Sequence, residues 1–326
     1  MWLPRDVPDG VLTGMSISVI GYGNQGRAQA LNLRDRGLPV QVGNIDDEYA
    51  ASARADGFRV LRIPEAVEAA DIVVVLIPDE VQPHVFRSSI SNALRPGQVV
   101  SFASGYNVTY GRVPIREDVD VILVAPRMIG RGVRELFLSN RGFPMLVGVE
   151  QDASGEARAR AVSLAGVVGA DREGGCVLES SFKEETLLDL FSEHAGLIQL
   201  LKTSCEVLIE AGCSPEAAIL ETYGSGELGE IAHAIADLGL VNQLRLHSTT
   251  SQFGQLVWGR RWIATETRDL MRRAVASIQD GTFARAWHAE EQAGLVQLHA
   301  AWRQQEMAPL FLAEARLYEA LGRGGE

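Results

Sequence analysis

Two acidic side chains in the second half of the chain have the spacing of a metal site. Asp189 and Glu193 lie four residues apart in SFKEETLLDLFSEH, residues 181–194, and on a helix they would share one face, one turn apart. Mg²⁺ is bound through one or two protein carboxylates, with water and substrate in its remaining positions. A solvated helix surface has the same pattern, but the neighbouring apolar residues would half-bury these acids, which then need partners. The spacing therefore favours a magnesium site.

Two later stretches carry polar groups whose role the residues alone leave open. ETYGSGELGE, residues 221–230, contains acids and three glycines, and the glycines argue against a regular helix. LHSTTSQFG, residues 246–254, has clustered hydroxyls typical of a polar turn or helix start.

A glycine-rich turn near the start of the chain predicts a dinucleotide site. The β-branched run ISVI leads into GYGNQG, residues 21–26, and an amphipathic segment follows. This is the GxGxxG layout in which a turn between a strand and a helix holds a pyrophosphate at the helix N-terminus. The predicted cofactor-binding residues are Gly21, Tyr22, Gly23, Asn24, Gln25 and Gly26.

The loop after the second predicted strand favours NADH over NADPH. Pro39–Asn44 is predicted to be a strand, and the loop after it contains three acids, Asp46, Asp47 and Glu48, and no Arg or Lys. At this position a carboxylate accepts from the ribose 2′-hydroxyl and repels a 2′-phosphate. The alternative is a helix N-terminus whose acids complement the helix dipole.

Further apolar runs alternate with helical segments and predict an α/β fold with a Rossmann-type, doubly wound parallel sheet. These predicted strands are 71–79, 98–102, 119–126 and 143–149, the last of the sheet. Ligands of such sheets bind at the carboxyl ends of the strands, which places the loops around Ser104, Gly105 and Arg127 beside the nicotinamide and a substrate. From about residue 181 the periodicity becomes helical, so we expect domains at 1–181 and 182–326.

Composition excludes several classes of protein. The 326 residues carry a net charge of −12, which argues against a nucleic-acid partner because phosphate binding needs a basic face. Three cysteines without CxxC spacing indicate reduced thiols rather than a disulfide framework. Because no leader peptide and no apolar run of membrane-spanning length is seen, we expect a cytoplasmic protein without a membrane partner.

These residues resemble the ketol-acid reductoisomerases (acetohydroxyacid isomeroreductases), in the short form with a single helical domain. The most specific matches are the stretch FKEET leading to DLF, residues 182–191, the glycine turn with its helix, and IQDGTFA, residues 278–284. The resemblance implies an NAD(P)H- and Mg²⁺-dependent enzyme that moves an alkyl group within a 2-hydroxy-3-keto acid and reduces the resulting 2-keto acid. It also implies a knotted helical domain that pairs with a second subunit, hence a homodimer or larger homo-oligomer.

The resemblance also assigns roles to individual residues. Asp189 and Glu193 are implied as metal ligands, and Ser248 is implied to contact the substrate carboxylate. A second acid pair would come from the partner subunit. In the family the two acids of this pair are separated by four residues. Alignment forward from Pro215 gives Glu221 as the first acid, and alignment backward from Ser248 gives Glu227 as the second. The pair is therefore spaced by six here, as if two residues were inserted. On an unbroken helix that spacing points the two acids to different faces.

Two catalytic positions depart from the family pattern. Ser104 stands where the family has histidine, and a hydroxyl has neither the charge nor the base strength of imidazole near pH 7. Arg127 stands where the family has lysine, which keeps the charge but changes the geometry. With Glu193 and Ser248, these are the predicted catalytic residues.

Three hypotheses follow from these matches and departures. The first is a reductase of the reductoisomerase type that uses NADH and Mg²⁺ on a small 2-keto acid or related substrate, with isomerisation left open. The second is a true ketol-acid reductoisomerase of branched-chain amino acid synthesis. The third is a non-catalytic nucleotide-binding relative. The retained glycine turn and acid pair favour the two enzymatic hypotheses.

Overall fold

The computed structural model describes residues 1–194, 196–261 and 265–323. The chain divides into two compact units, Met1–Asp189 and Leu190–Glu326. The helix Phe182–His194 runs across this division, and the domain boundary that we place after residue 181 stays a prediction.

The first unit contains an eight-stranded sheet with the order β3-β2-β1-β4-β5-β6-β7-β8. All neighbouring strands are parallel except β6 and β7, which are antiparallel. The predicted α/β fold class is confirmed, with this one departure from a parallel sheet. The strands are β1 Ile17–Ile20, β2 Val40–Gly43, β3 Val60–Leu61, β4 Ile72–Val75, β5 Val99–Phe102, β6 Asp120–Pro126, β7 Pro144–Gln151 and β8 Cys176–Glu179.

The expectation that residues 143–149 form the last strand was wrong, because β8 follows it and pairs with β7. Of the four residues of β8, Val177 is buried and Leu178 is 47% exposed. An edge strand with so little buried surface lacks the continuous apolar run that marks a central strand. Trp2 pairs with Val177 on the other side through two backbone hydrogen bonds, which covers this edge locally.

Helices cover both faces of the sheet, as the strand side chains show. On β4, Ile72 and Val74 belong to one hydrophobic cluster, and Val73 and Val75 belong to another. This alternation follows from the two-residue period of a strand. The helices of this unit are α1 Asn24–Asp35, α2 Glu48–Ala55, α3 Ile63–Glu68, α4 Gln82–Val85, α5 Tyr106–Thr109, α6 Gly130–Leu138, α7 Ala157–Ala165 and the first part of α8 Phe182–His194.

The described residues of the second unit form helices joined by short turns and contain no strand, which confirms the predicted all-helical domain. Its buried cluster is small and consists of Cys205, Ala218, Ile219 and Ala313. Within the described residues no helix is long and apolar enough to cross a membrane. The helices are α9 Leu197–Glu210, α10 Pro215–Ile219, α11 Glu227–Leu238, α12 Thr249–Phe253, α13 Thr265–Gln279, α14 Thr282–Gln292, α15 Val296–Glu306 and α16 Pro309–Ala320.

Candidate active site

The glycine turn between β1 and α1 has the tight packing that its sequence predicts. Gly21 has a φ of +94°, a conformation that a side chain disfavours. A Cβ on Gly26 would lie 2.0 Å from the carbonyl oxygen of Gly21, whereas a Cβ on Gly23 would have no neighbour within 4 Å. The first and third glycines are therefore required by packing, and the second leaves the backbone open to a ligand.

A cleft of about 760 Å³ runs along the carboxyl ends of β1, β2, β4 and β5. Of the predicted cofactor-binding residues, Gly26, Asp46 and Gly105 do not line this cleft. Those that do are Gly21, Tyr22, Gly23, Asn24, Gln25, Asp47 and Ser104. A cleft at this sheet edge, beginning at the N-terminus of α1, is the position of a dinucleotide in the doubly wound fold.

Two side chains of the glycine turn form hydrogen bonds to other segments of the chain at this end of the cleft. Tyr22 is buried, and its hydroxyl donates to Asp56 Oδ2 over 2.9 Å. Burial, and then this bond to Asp56, raise the pKa of Tyr22. Gln25 Nε2 donates to the carbonyl oxygen of Met128 over 2.9 Å. Gln25 thereby connects α1 to the loop that follows β6.

The loop that follows β2, residues 44–47, which we call the ribose loop for the contact predicted from its sequence, has an acid that caps α2 and also lines the cleft. Asp47 is the N-cap of α2, and its Oδ1 accepts from Ala50 N over 2.9 Å and from Asn44 Nδ2 over 2.7 Å. It also lines the cofactor cleft. Asp46 points to a neighbouring cavity of about 500 Å³ and pairs with Arg54 over 3.1 Å. The fold thus brings an arginine to a loop that has none in its own sequence.

Arg127, at the end of β6, joins two carboxylates of α8. Its Nη2 donates to Glu185 Oε1 over 2.8 Å, and its Nη1 donates to Asp189 Oδ1 over 3.5 Å. The two predicted residues Arg127 and Asp189 therefore lie together. Charge-assisted contacts of this kind fix the direction of the planar guanidinium.

Glu185 is the residue of this cluster that sequence reasoning missed. Its side chain is 1% exposed, and its Oε2 accepts from the backbone N–H of Gly105 over 2.7 Å. Burial raises the pKa of Glu185, against the opposing effects of the Gly105 N–H and Arg127. Its spacing was a usable signal, because Glu185 lies one helical turn before Asp189 just as Glu193 lies one turn after it.

Ser104 contacts a second missed carboxylate, Asp79. Ser104 Oγ donates to Asp79 Oδ2 over 3.2 Å and accepts from Tyr106 N over 3.3 Å. The pKa of Asp79 is raised to about 6, chiefly by burial, while the bond from Ser104 lowers it. Asp79 follows the carboxyl end of β4, the side of an α/β sheet at which ligands bind, and it lines the cleft.

The remaining predicted residues lie in the second unit. Glu221 lies in a π-helical turn, Leu220–Gly224, and Glu227 is the first residue of α11. Between them Gly226 has a φ of +96°, so they belong to separate helical segments and the unbroken-helix argument does not apply. Ser248 is the N-cap of α12, and its Oγ accepts from Ser251 N over 3.2 Å.

Comparison with known protein families covers both units. Residues 11–174 match the acetohydroxy acid isomeroreductase NADPH-binding domain, and residues 182–322 match the ketol-acid reductoisomerase C-terminal domain. The chain belongs to the ketol-acid reductoisomerase family. The recognition made from the FKEET–DLF stretch and the glycine turn is thereby confirmed.

Individual members of the ketol-acid reductoisomerase family match nearly the whole chain. A protein of Saccharolobus solfataricus named putative ketol-acid reductoisomerase 3 is 43% identical over 318 residues, 96% of this chain and 95% of its own length. A protein of Pyrobaculum calidifontis named ketol-acid reductoisomerase (NADP(+)) is 42% identical over 95% of each chain. The solved structure of an NADH-preferring ketol-acid reductoisomerase from an uncultured archaeon superposes with a TM-score of 0.91, at 34% identity and 98% coverage of both chains.

The acidic side chains of α8 have the chemistry that a divalent cation requires of its ligands. Glu185, Asp189 and Glu193 follow one another at four-residue intervals on α8 and offer hard oxygen atoms. Arg127 offsets only part of their negative charge. Among the residues that the structure describes, no three potential ligands are assembled around one metal position. Asp189 and Glu193 therefore fit Mg²⁺ as the one or two carboxylates that this ion takes from a protein, with its remaining positions left to other ligands.

Proposed function

We propose that this reductoisomerase-family enzyme uses NADH and Mg²⁺ to reduce a small 2-keto acid. The observation that carries the proposal is the cluster of Arg127, Glu185 and Asp189, joined through Gly105 to the strand end that bounds the cofactor cleft. A cationic side chain beside metal-binding carboxylates, next to a nicotinamide site, is suited to a substrate that carries both a carboxylate and a keto group.

This proposal assigns a separate role to each residue of the site. Bound Mg²⁺ supplies Lewis acidity toward the substrate oxygens. Asp189 and Glu193 hold the metal, and Ser248 binds the substrate carboxylate. Glu185 accepts hydrogen bonds from Arg127 and from Gly105, so it fixes the guanidinium relative to the loop after β5. That fixed arrangement keeps the reacting groups in place without reorganisation during the reaction.

Alkyl migration before reduction is the second candidate function, and the 42% identity to a named ketol-acid reductoisomerase favours it. Oxidation of NADH with 3-hydroxy-3-methyl-2-oxobutanoate tests reduction alone, and oxidation with 2-acetolactate tests both steps together. We expect Mg²⁺-dependent turnover of the first substrate. Turnover of 2-acetolactate would establish migration as well. If neither substrate supports oxidation of NADH or NADPH, the proposed function is wrong.

The preference for NADH is proposed from the ribose loop. Asp47 lines the cofactor cleft, where its carboxylate would meet a 2′-phosphate. In Asp47→Ser the hydroxyl can keep the N-cap of α2 while the charge is lost. A like-charge contact at a partly exposed site costs about 1 kcal/mol, so we expect the ratio of NADPH to NADH affinity to rise about fivefold. Cofactor titration by fluorescence measures both affinities.

The control for this substitution is Glu48→Gln, which removes the next negative charge along the chain from a residue that does not line the cleft. We expect the affinity ratio of the control to stay at the value of the unmodified protein. If Asp47→Ser leaves selectivity unchanged, or if both variants shift it equally, repulsion at Asp47 is not the basis of the preference.

We also propose that the protein forms a homo-oligomer through its helical unit. Large apolar side chains of this unit remain exposed, with Ile198 72% exposed, Leu240 71% exposed and Met307 80% exposed. Helix α11 buries none of its residues within the chain. Large apolar side chains exposed on several helices of one unit support an interface there, because contiguous apolar surface of this kind is typical of protein contacts. A second copy would cover it and could bring Glu221 or Glu227 to the metal ligands of the first.

A further inference from the structure

Ser104 is placed to pass a proton between the cofactor cleft and a buried acid. Its Oγ accepts from Tyr106 N, contacts Asp79 Oδ2 at 3.2 Å, and belongs to a residue that lines the cleft. A hydroxyl has one proton and two acceptor sites. If Asp79 is protonated and donates to Ser104, both acceptor sites are filled, and the Ser104 proton is left to point at a bound ligand.

Asp79 is held for this contact by two amide side chains. Its Oδ1 accepts from Gln82 Nε2 over 3.0 Å and from Asn107 Nδ2 over 3.2 Å. Gln82 also donates to the carbonyl oxygen of Ile77 over 2.9 Å, and Asn107 to that of Asp79 over 2.9 Å. Gln82 is 5% exposed and Asn107 is 1% exposed. The carboxyl group is therefore fixed, with its Oδ2 toward Ser104.

Burial and the surrounding charges raise the pKa of Asp79 well above that of an ordinary aspartate. Burial is the largest effect and raises its pKa, and the nearby acids Glu80 and Asp189 add to this. The bond from Ser104 and the positive charge of Arg112 act in the opposite direction. The resulting pKa of about 6 lies about two units above the usual value for an aspartate, so the protonated form is populated at mildly acidic pH.

We propose that Asp79 is the proton donor for keto-group reduction, acting through Ser104. The carbonyl carbon receives hydride from the reduced nicotinamide. Its oxygen takes the proton of Ser104 Oγ, and the proton of Asp79 Oδ2 moves to Ser104 Oγ. The C=O π bond is replaced by C–H and O–H bonds, Ser104 ends unchanged, and Asp79 is left as a carboxylate that water reprotonates. This inference rests on the proposed keto-acid reduction. In it Asp79 is a positioning residue, because its proton reaches the substrate only through the Ser104 hydroxyl.

The pH dependence of 3-hydroxy-3-methyl-2-oxobutanoate reduction tests this relay, measured from pH 5.5 to 8.5 with Mg²⁺ present. For the unmodified enzyme, kcat/KM should fall as pH rises through the folded pKa of Asp79, because the protonated form of Asp79 is lost. A positioned general acid contributes at least about 100-fold. Asp79→Asn and Ser104→Ala should therefore each lower kcat/KM by roughly 100-fold and remove the pH dependence. Ser104→Thr, which keeps a hydroxyl, should retain it.

The matched control is Ser101→Ala. Ser101 is a buried serine on β5, and its hydroxyl has no hydrogen-bond partner among the described residues. This variant should keep the pH profile of the unmodified enzyme. An Asp79→Asn enzyme with an unaltered profile would overturn the proposal, provided that NADH titration shows the variant to be folded.

A second measurement works even if the protein reduces no keto acid. Because the pKa of folded Asp79 is raised, the unmodified protein should lose stability relative to Asp79→Asn as pH rises through about 6. Urea unfolding at a series of pH values locates this change. Since the Ser104 bond lowers the pKa of Asp79, the change should move to higher pH in a Ser104→Ala background. A midpoint that is unaffected by the loss of the Ser104 hydroxyl would show that no proton link exists.

Discussion

Asp189→Asn and Glu193→Gln are each expected to lower kcat/KM of the Mg²⁺-dependent reaction by about 1,000-fold or more. A bound metal contributes several kcal/mol of charge stabilisation at a keto oxygen, and each 1.4 kcal/mol corresponds to a tenfold change in rate. Affinity for NADH should be unchanged, because neither residue lines the cofactor cleft. Steady-state kinetics and calorimetric titration with Mg²⁺ measure the two effects separately.

Glu184→Gln is the matched control for these variants, because it changes an exposed acid of the same helix that accepts from Ser180 over 3.0 Å. It should bind Mg²⁺ with unaltered affinity. Retention of normal Mg²⁺ affinity by Asp189→Asn would rule out this residue as a ligand. Glu221→Gln and Glu227→Gln, assayed in the same way, would show which of the two contributes to the site, since only that variant should lose Mg²⁺ affinity.

Local sequence patterns predicted the parts of the fold that local sterics determine. Gly21, Gly23 and Gly26 are spaced for one turn. The structure shows why Gly21 and Gly26 must be glycine, from a positive φ and from close packing, and it leaves the backbone at Gly23 open. Buried strands such as Asp120–Pro126 carry their own apolar signal. The direction of a strand does not, because a buried strand has the same composition whether it runs parallel or antiparallel to its neighbour. For this reason the antiparallel pairing of Asp120–Pro126 with Pro144–Gln151 could not be predicted.

Site residues could be predicted only where they lie close together in the sequence and share one helix or turn. Asp189 and Glu193 share a helix, so their spacing was informative. Asp79 gains its role from a contact with Ser104, 25 residues away along the chain, and from burial that the sequence does not show. Arg54 likewise reaches Asp46 only after its helix has formed. Contacts between elements require the fold, and these account for the residues that were missed.

Glu185→Ala is expected to reduce the free energy of unfolding by about 3 kcal/mol. Breaking a buried ion pair costs about 3–5 kcal/mol because a charge is left without a partner. Arg127 is 31% exposed and keeps its contact with Asp189, which places the expected cost at the lower end of that range. The backbone N–H of Gly105 also loses its acceptor. Urea unfolding followed by circular dichroism measures the change, and Glu184→Ala serves as the control on the exposed neighbour.

Glu185→Gln separates the hydrogen bonds of Glu185 from its charge. The amide oxygen can still accept from Gly105, so the loss of stability should be smaller than in Glu185→Ala, about 1 kcal/mol for one weakened charged hydrogen bond. Because burial raises the pKa of folded Glu185, the unmodified protein is favoured over Glu185→Gln most at low pH. That difference should shrink as pH rises through the folded pKa. If instead the difference grows with pH, the attraction of Arg127 for the charged carboxylate outweighs the effect of burial on the pKa of Glu185.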